Sequence, residues 1–127
     1  MWNVTKYLSM REPIKDKIRL EHMLRAIDAL LEGRRHYTFE QATSDPILFY
    51  GFVKHVEIIG EAVYMLSKPF KSSHEEVEWA VIEGMRHVLV HGYYQIRPRQ
   101  LWDTVETDIE PLRPVIQALY DNEPDNQ

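Results

Sequence analysis

Apolar residues recur at three- and four-residue spacing in four separate stretches of this chain, and no stretch alternates apolar with polar as a half-buried strand would. That spacing gathers each apolar set on one face of a helix. Such faces are stable only when buried on one another, so the pattern restricts the fold to an all-α architecture. Short connections between the stretches point to an up-down bundle of four to five helices.

The first expected helix runs from about Pro13 to Glu32, with Ile14, Ile18, Leu20, Met23, Leu24, Ile27, Leu30 and Leu31 in register. Proline suits a first helical turn, where its missing N–H is not needed. Gly33 reads as a C-cap, followed by Arg34 and Arg35 at the negative end of the helix dipole. Thr38 to Gln41 has the form of a capping box. Asp45-Pro46 is a stronger start signal and opens a second helix to about Ser67, with Phe49, Phe52, Val53, Val56, Ile59, Val63 and Leu66 on its apolar face. Gly60 sits inside that helix, where glycine costs about 1 kcal/mol relative to alanine; close approach of another helix is the expected reason. Residues 67–72 read as a loop. Ser73 with Glu76 reads as a further capping box, opening a helix from His74 to His91 whose inward residues are Val77, Val81, Met85, Val88 and Leu89. A last helix starts near Arg99 and is kinked or restarted at Pro111. Residues 1–9 read as an extension, 10–120 as the helical domain and 121–127 as a polar, frayed tail.

Composition narrows the function classes. The 127 residues suffice for one domain with a real core. There is no cysteine, which excludes disulfides and thiolate metal sites. No apolar run is long enough to span a membrane, and the first ten residues lack a signal-peptide core. A cytoplasmic protein without a membrane partner is therefore expected. A net charge of −5 argues against broad, non-specific binding along nucleic-acid backbones, but local charge decides more than the sum.

Local charge singles out one segment. No Asp or Glu occurs between Glu83 and Asp103, while Arg86, Arg97 and Arg99 fall inside that window. Gly84 and Gly92 bracket Arg86, His87, His91 and a short apolar run, and Tyr93 and Tyr94 follow. Arginine can grip a phosphate through a planar fork. Histidine can act as general acid or base near neutral pH. Tyrosine can stack on a base or donate a hydrogen bond. Arg86 and His91 are about 140° apart around a helix and do not share a stripe. One histidine per chain is thin for acid–base catalysis, whereas a two-fold homodimer would supply two. His87 and His91 have zinc-ligand spacing, yet Val88 stands where a zinc-protease motif has Glu and no third ligand is placed, so no metal is expected. Blander readings stand beside these: Arg86 as a surface salt-bridge residue, His91 as a C-terminal residue favoured by the dipole, and Tyr94 as packing. Trp79 and Trp102 fit core or interface. His22, His36, His55 and His74 fit the surface or caps. Glu57 and Glu61 fit a solvated face, a dimer contact or a restraint on Arg86.

The spacing Arg86-x4-His91-x-Tyr93 resembles the R-x4-H-x-Y motif of the HepT-like subfamily of HEPN domains. Three further segments are similar to it in order: His55 to Ala62 (HVEIIGEA), Ile82 to Arg86 (IEGMR), and Trp102-Asp103 through Asp108 to Leu112. The resemblance spans about Met10 to Leu119. It implies a HEPN-type helical bundle that dimerises, with motif residues of two protomers meeting in a cleft. It implies a metal-independent endoribonuclease without a cofactor, in which the ribose 2′-OH attacks the adjacent phosphate. Arg86 and His91 would be catalytic. It also implies the toxin of a toxin–antitoxin pair, neutralised by a minimal nucleotidyltransferase of MntA type that attaches AMP to Tyr93. The family's usual small polar residue after the motif arginine is His87 here. That departure keeps a second reading open, a non-catalytic HEPN dimer that binds nucleotide or the nucleotidyltransferase. A plain helical interaction domain is a third.

Overall fold

A computed structural model describes residues 14–125, the side chain of Tyr93 excepted. Among the described residues there are seven α-helices and no strand. Helix α1 is Asp16–His36, α2 Phe39–Ser44, α3 Pro46–Met65, α4 Lys68–Ser73 and α5 Trp79–His91. A 3-10 turn at Tyr93–Gln95 leads to α6, Pro98–Thr104. A π turn at Val105–Ile109 joins it to α7, Leu112–Asn122. The all-α expectation holds. The proposed extension at 1–9 and the helix start at Pro13 lie outside the described residues.

The core forms where the apolar stripes meet. Leu20, Met23, Ile27 and Leu30 of α1 are fully buried against Val56, Ile59 and Val63 of α3, and Val105, Ile109 and Ile116 close the same core. Helix α3 packs on both α1 and α5, and α1 also receives α7. Each such side chain contributes roughly 1.5–3 kcal/mol when fully buried. Among the described residues no helix is long and apolar enough to cross a membrane.

Local capping explains several boundaries. The Thr38 hydroxyl accepts from the Gln41 N–H at 3.1 Å, and the Gln41 side chain accepts from the Thr38 N–H at 2.9 Å, so the expected capping box is formed. The Asp45 carboxylate accepts from the Ile47 N–H at 2.9 Å and opens α3 with Pro46 in its first turn.

Other expectations need correction. Helix α1 passes through Gly33 and ends at His36. Gly33 is therefore not a cap; a Cβ there would lie 2.8 Å from the Phe52 ring, so the glycine admits that ring. Arg34 is not merely a dipole partner. It donates to the Trp102 carbonyl, pairs with Glu106 at 3.1 Å and stacks over the Trp102 ring. Trp102 also meets Phe39 and Phe52 edge to face, which assigns it to the core.

Residues 68–72, expected as part of a loop over 67–72, are helical and belong to α4. The Ser67 hydroxyl accepts from the Phe70 N–H, Pro69 occupies the first turn, and Asp16 of α1 accepts from both the N–H and the hydroxyl of Ser67. Consequently Ser73 ends α4 instead of opening α5, its hydroxyl donating to the Pro69 carbonyl. Helix α5 starts five residues later than expected, at Trp79, whose buried indole donates to the His74 carbonyl at 2.8 Å.

The restart at Pro111 takes a specific form. The Glu110 N–H reaches back five residues to the Val105 carbonyl at 2.8 Å, which widens the helix just ahead of the proline. Residues 121–125 of the tail are less frayed than expected: Glu123 is buried and Asp125 pairs with Lys17 of α1 at 2.8 Å.

Candidate functional site

The site is built around the contact of α5 with α3. Gly60 makes the contact possible: a Cβ on it would overlap the Cβ of Arg86 and lie 3.2 Å from the Ile82 carbonyl. The missing side chain lets the Arg86 backbone sit directly on α3, so the mid-helix glycine is explained by close approach. The arginine then extends over α3. Its Nε donates to the Glu61 carboxylate, and its guanidinium carbon lies 5.0 Å from the centre of the Tyr64 ring. Of the readings open for Glu61, the structure selects the restraint on Arg86. The Nη atoms of Arg86 make no hydrogen bond among the described residues. The edge of the guanidinium that can form a bidentate phosphate contact is thus available.

Arg86 forms one wall of a cleft of about 450 Å³ between α1, α3 and α5. His22, expected at the surface or a cap, also lines it. Lys71 braces the approach to the site, donating to the Val63 carbonyl at the end of α3 and to Glu83 of α5 at 2.7 Å.

His91 ends α5 and is exposed, with Gly92 following it; the Gly92 N–H donates to the Val88 carbonyl at 2.8 Å. The His91 ring lies 4.5 Å from that of His87, one turn earlier. Arg86 and His91 therefore belong to different faces, and within one chain the Arg86 cleft is not lined by His91. Tyr93 begins the 3-10 turn, and its side chain lies outside the described residues. Tyr94, expected to pack, is exposed. Arg99 stacks over Phe39 at 3.8 Å and lies 3.8 Å from Asp103. Arg97 lines a groove with Val88 and Gly92. Among the described residues no three His, Asp or Glu side chains converge as metal ligands.

The outer face of α5 corrects another expectation. Val81 and Val88, expected to point inward, are each 64% exposed, whereas Val77 and Leu89 are buried. Val81, Gly84 and Val88 line a broad apolar groove whose far wall includes Pro111, Leu112 and Val115. Helix α5 is thus packed on α3 along one face and open along another.

Taken together, these features define a small helical-bundle protein with an arginine fork held at a cleft and a histidine pair at the exposed end of the same helix. Comparison with known proteins gives that class a family. The chain belongs to the ribonuclease HepT-like family, whose model matches residues 23–119. It is 38% identical over 104 residues to "Putative RNase TTE0752" of Caldanaerobacter subterraneus subsp. tengcongensis, covering 82% of this chain and 93% of that protein. It is 34% identical over 100 residues to "Probable ribonuclease HepT" of Thermococcus cleftensis, covering 79% of this chain and 91% of that one. No solved structure matches it.

Proposed function

We propose that the chain is a metal-independent endoribonuclease that works as a two-fold dimer and serves as the toxin of a toxin–antitoxin pair. The observation that carries this reading is the seating of Arg86. Gly60 lets it lie on α3, and Glu61 holds its Nε while leaving the Nη edge available. A fork oriented in this way suits a phosphodiester, and it stabilises the charge that grows on the phosphoryl oxygens during transfer.

The open face of α5 supports the dimer. Two valines at 64% exposure beside Gly84 form a small-residue apolar stripe. In a two-fold interface this stripe meets its own copy, so each chain covers the other's face. It would also bring together the histidines at the two α5 ends. In the reaction the 2′-oxygen forms a bond to phosphorus while the bond to the 5′-oxygen breaks. His91 takes the 2′-proton, and the partner subunit's His91 gives a proton to the leaving 5′-oxygen. The product ends are a 2′,3′-cyclic phosphate and a 5′-hydroxyl. Arg86 holds the phosphate through its Nη edge throughout. Tyr93 follows this histidine closely in sequence, so AMP attached there by a nucleotidyltransferase partner would set a second phosphate where the RNA phosphate must bind.

The test is cleavage of RNA by the purified protein in EDTA. His91→Ala is expected to lower the rate about a hundred- to ten-thousandfold, and Arg86→Ala about a hundred- to thousandfold. Cleavage that survives both substitutions would refute the site, and a requirement for added zinc would favour a metal reading at His87 and His91. A second reading, a non-catalytic dimer that binds nucleotide or the nucleotidyltransferase, is favoured by His87 beside the motif arginine. RNA binding without cleavage would support it.

A further inference from the structure

The cleft beside Arg86 contains more charge than holding one phosphate requires. Arg19 of α1 and Lys54 of α3 line it, and neither makes an ion pair or a side-chain hydrogen bond among the described residues. The Arg19 Nε is buried and has no acceptor among the described residues. A buried N–H donor without a partner is destabilising, and an incoming acceptor would relieve it. Arg86 and Glu61 are paired and cancel in charge. The remaining fixed charges are Arg19 and Lys54 against Glu57, an excess of one positive charge, with His22 taken as neutral. The volume of about 450 Å³ falls within the range of roughly 300–1,000 Å³ typical of small-ligand sites.

We propose that this cleft seats the ribonucleotide next to the cut, with Arg19 and Lys54 binding its phosphate. The proposal rests on the reading of Arg86 as the holder of the scissile phosphate. The mixed charge argues for a nucleotide over a bare anion. Glu57 has no partner among the described residues, and its carboxylate would repel free phosphate. The same carboxylate can accept a hydrogen bond from a ribose 2′-hydroxyl, a donor that DNA lacks. The cleft therefore extends the site away from the bond that is cut and favours RNA.

Binding, read apart from cleavage, tests this. In the intact chain bearing His91→Ala, affinity for a short single-stranded RNA is measured over a range of salt concentrations. Arg19→Gln and Lys54→Gln are each expected to weaken binding roughly three- to tenfold and to lower the salt slope by about 0.7, the value for one phosphate contact on a single strand. Arg25→Gln, at an exposed α1 residue paired with Glu21, is expected to change neither. Lys54 is exposed, so its variant keeps the test decisive if Arg19→Gln misfolds. Unchanged affinity and slope in Lys54→Gln would overturn the proposal, as would equal affinity for DNA of the same sequence. If the wild type cuts no RNA while binding still depends on Arg19 and Lys54, the nuclease reading fails and the cleft assignment stands.

Discussion

At the scale of single residues, Gly60 decides whether Arg86 can be where it is. Any Cβ at position 60 overlaps Arg86, so Gly60→Ala should push α5 away from α3. We expect it to cost about 1–3 kcal/mol by urea denaturation, the usual range for overpacking. It should also lower RNA cleavage, because the fork moves with its helix. Gly51, in the same helix, has open space around its Cβ position. Gly51→Ala should instead stabilise by about 0.5–1 kcal/mol through helix propensity. Equal effects of the two substitutions would contradict the close-approach account. Part of this was legible in the sequence: a glycine inside an amphipathic helix needs a reason, and the spacing of Arg86, His91 and Tyr93 stands out in an acid-free window. The partner of Arg86 was not. Glu61 is 25 residues away, and its i, i+4 relation to Glu57 suits a solvated face equally well until α5 is laid on α3.

At the scale of elements, caps and clamps between helices fix what the apolar pattern leaves loose. Arg113 of α7 grips Asp28 of α1 through two parallel hydrogen bonds at 2.8 and 3.1 Å. Hydrogen bonding to Arg113 holds the Asp28 carboxyl below the usual carboxylate range. A carboxyl whose folded pKa is depressed stabilises the fold above its unfolded pKa of about 3.9, and that contribution fades as pH falls through the lower folded value. Asp28 is half exposed, so the pair should contribute about 0.5–1 kcal/mol at neutral pH. Asp28→Asn should remove that amount at pH 7 and almost none near pH 2, read from thermal melts at both. An equal loss at both pH values would show that packing, not charge, is responsible. The helix at 68–73 was missed in the sequence because six residues with a single buried apolar side chain, Phe70, show no helical period, although the Ser67 cap is local and is itself anchored by Asp16, 51 positions away. The Thr38 and Asp45 caps were readable because both partners lie within one turn.

At the scale of the whole molecule, the open apolar face of α5 is the strongest argument that one chain is half of the working unit. The periodicity of Val81 and Val88 marks them as apolar-face residues, but sequence alone cannot say whether a helix face is covered by its own chain or by a second one. Val88→Asp should leave the monomer fold intact, since the side chain is 64% exposed, and should shift sedimentation from dimer to monomer. A variant that stays dimeric would place the interface elsewhere. A variant that unfolds would place Val88 in the core. The central claim is a ribonuclease site completed by two chains, and the most direct measurement is the specific rate of RNA cleavage in EDTA as protein is diluted through its dimer dissociation range. The account predicts a rate that falls with the dimer fraction, products ending in 2′,3′-cyclic phosphate, and a rate at least about a hundredfold lower for His91→Ala at every concentration. A specific rate that stays constant once the protein is monomeric, or that is undiminished in His91→Ala, would contradict it.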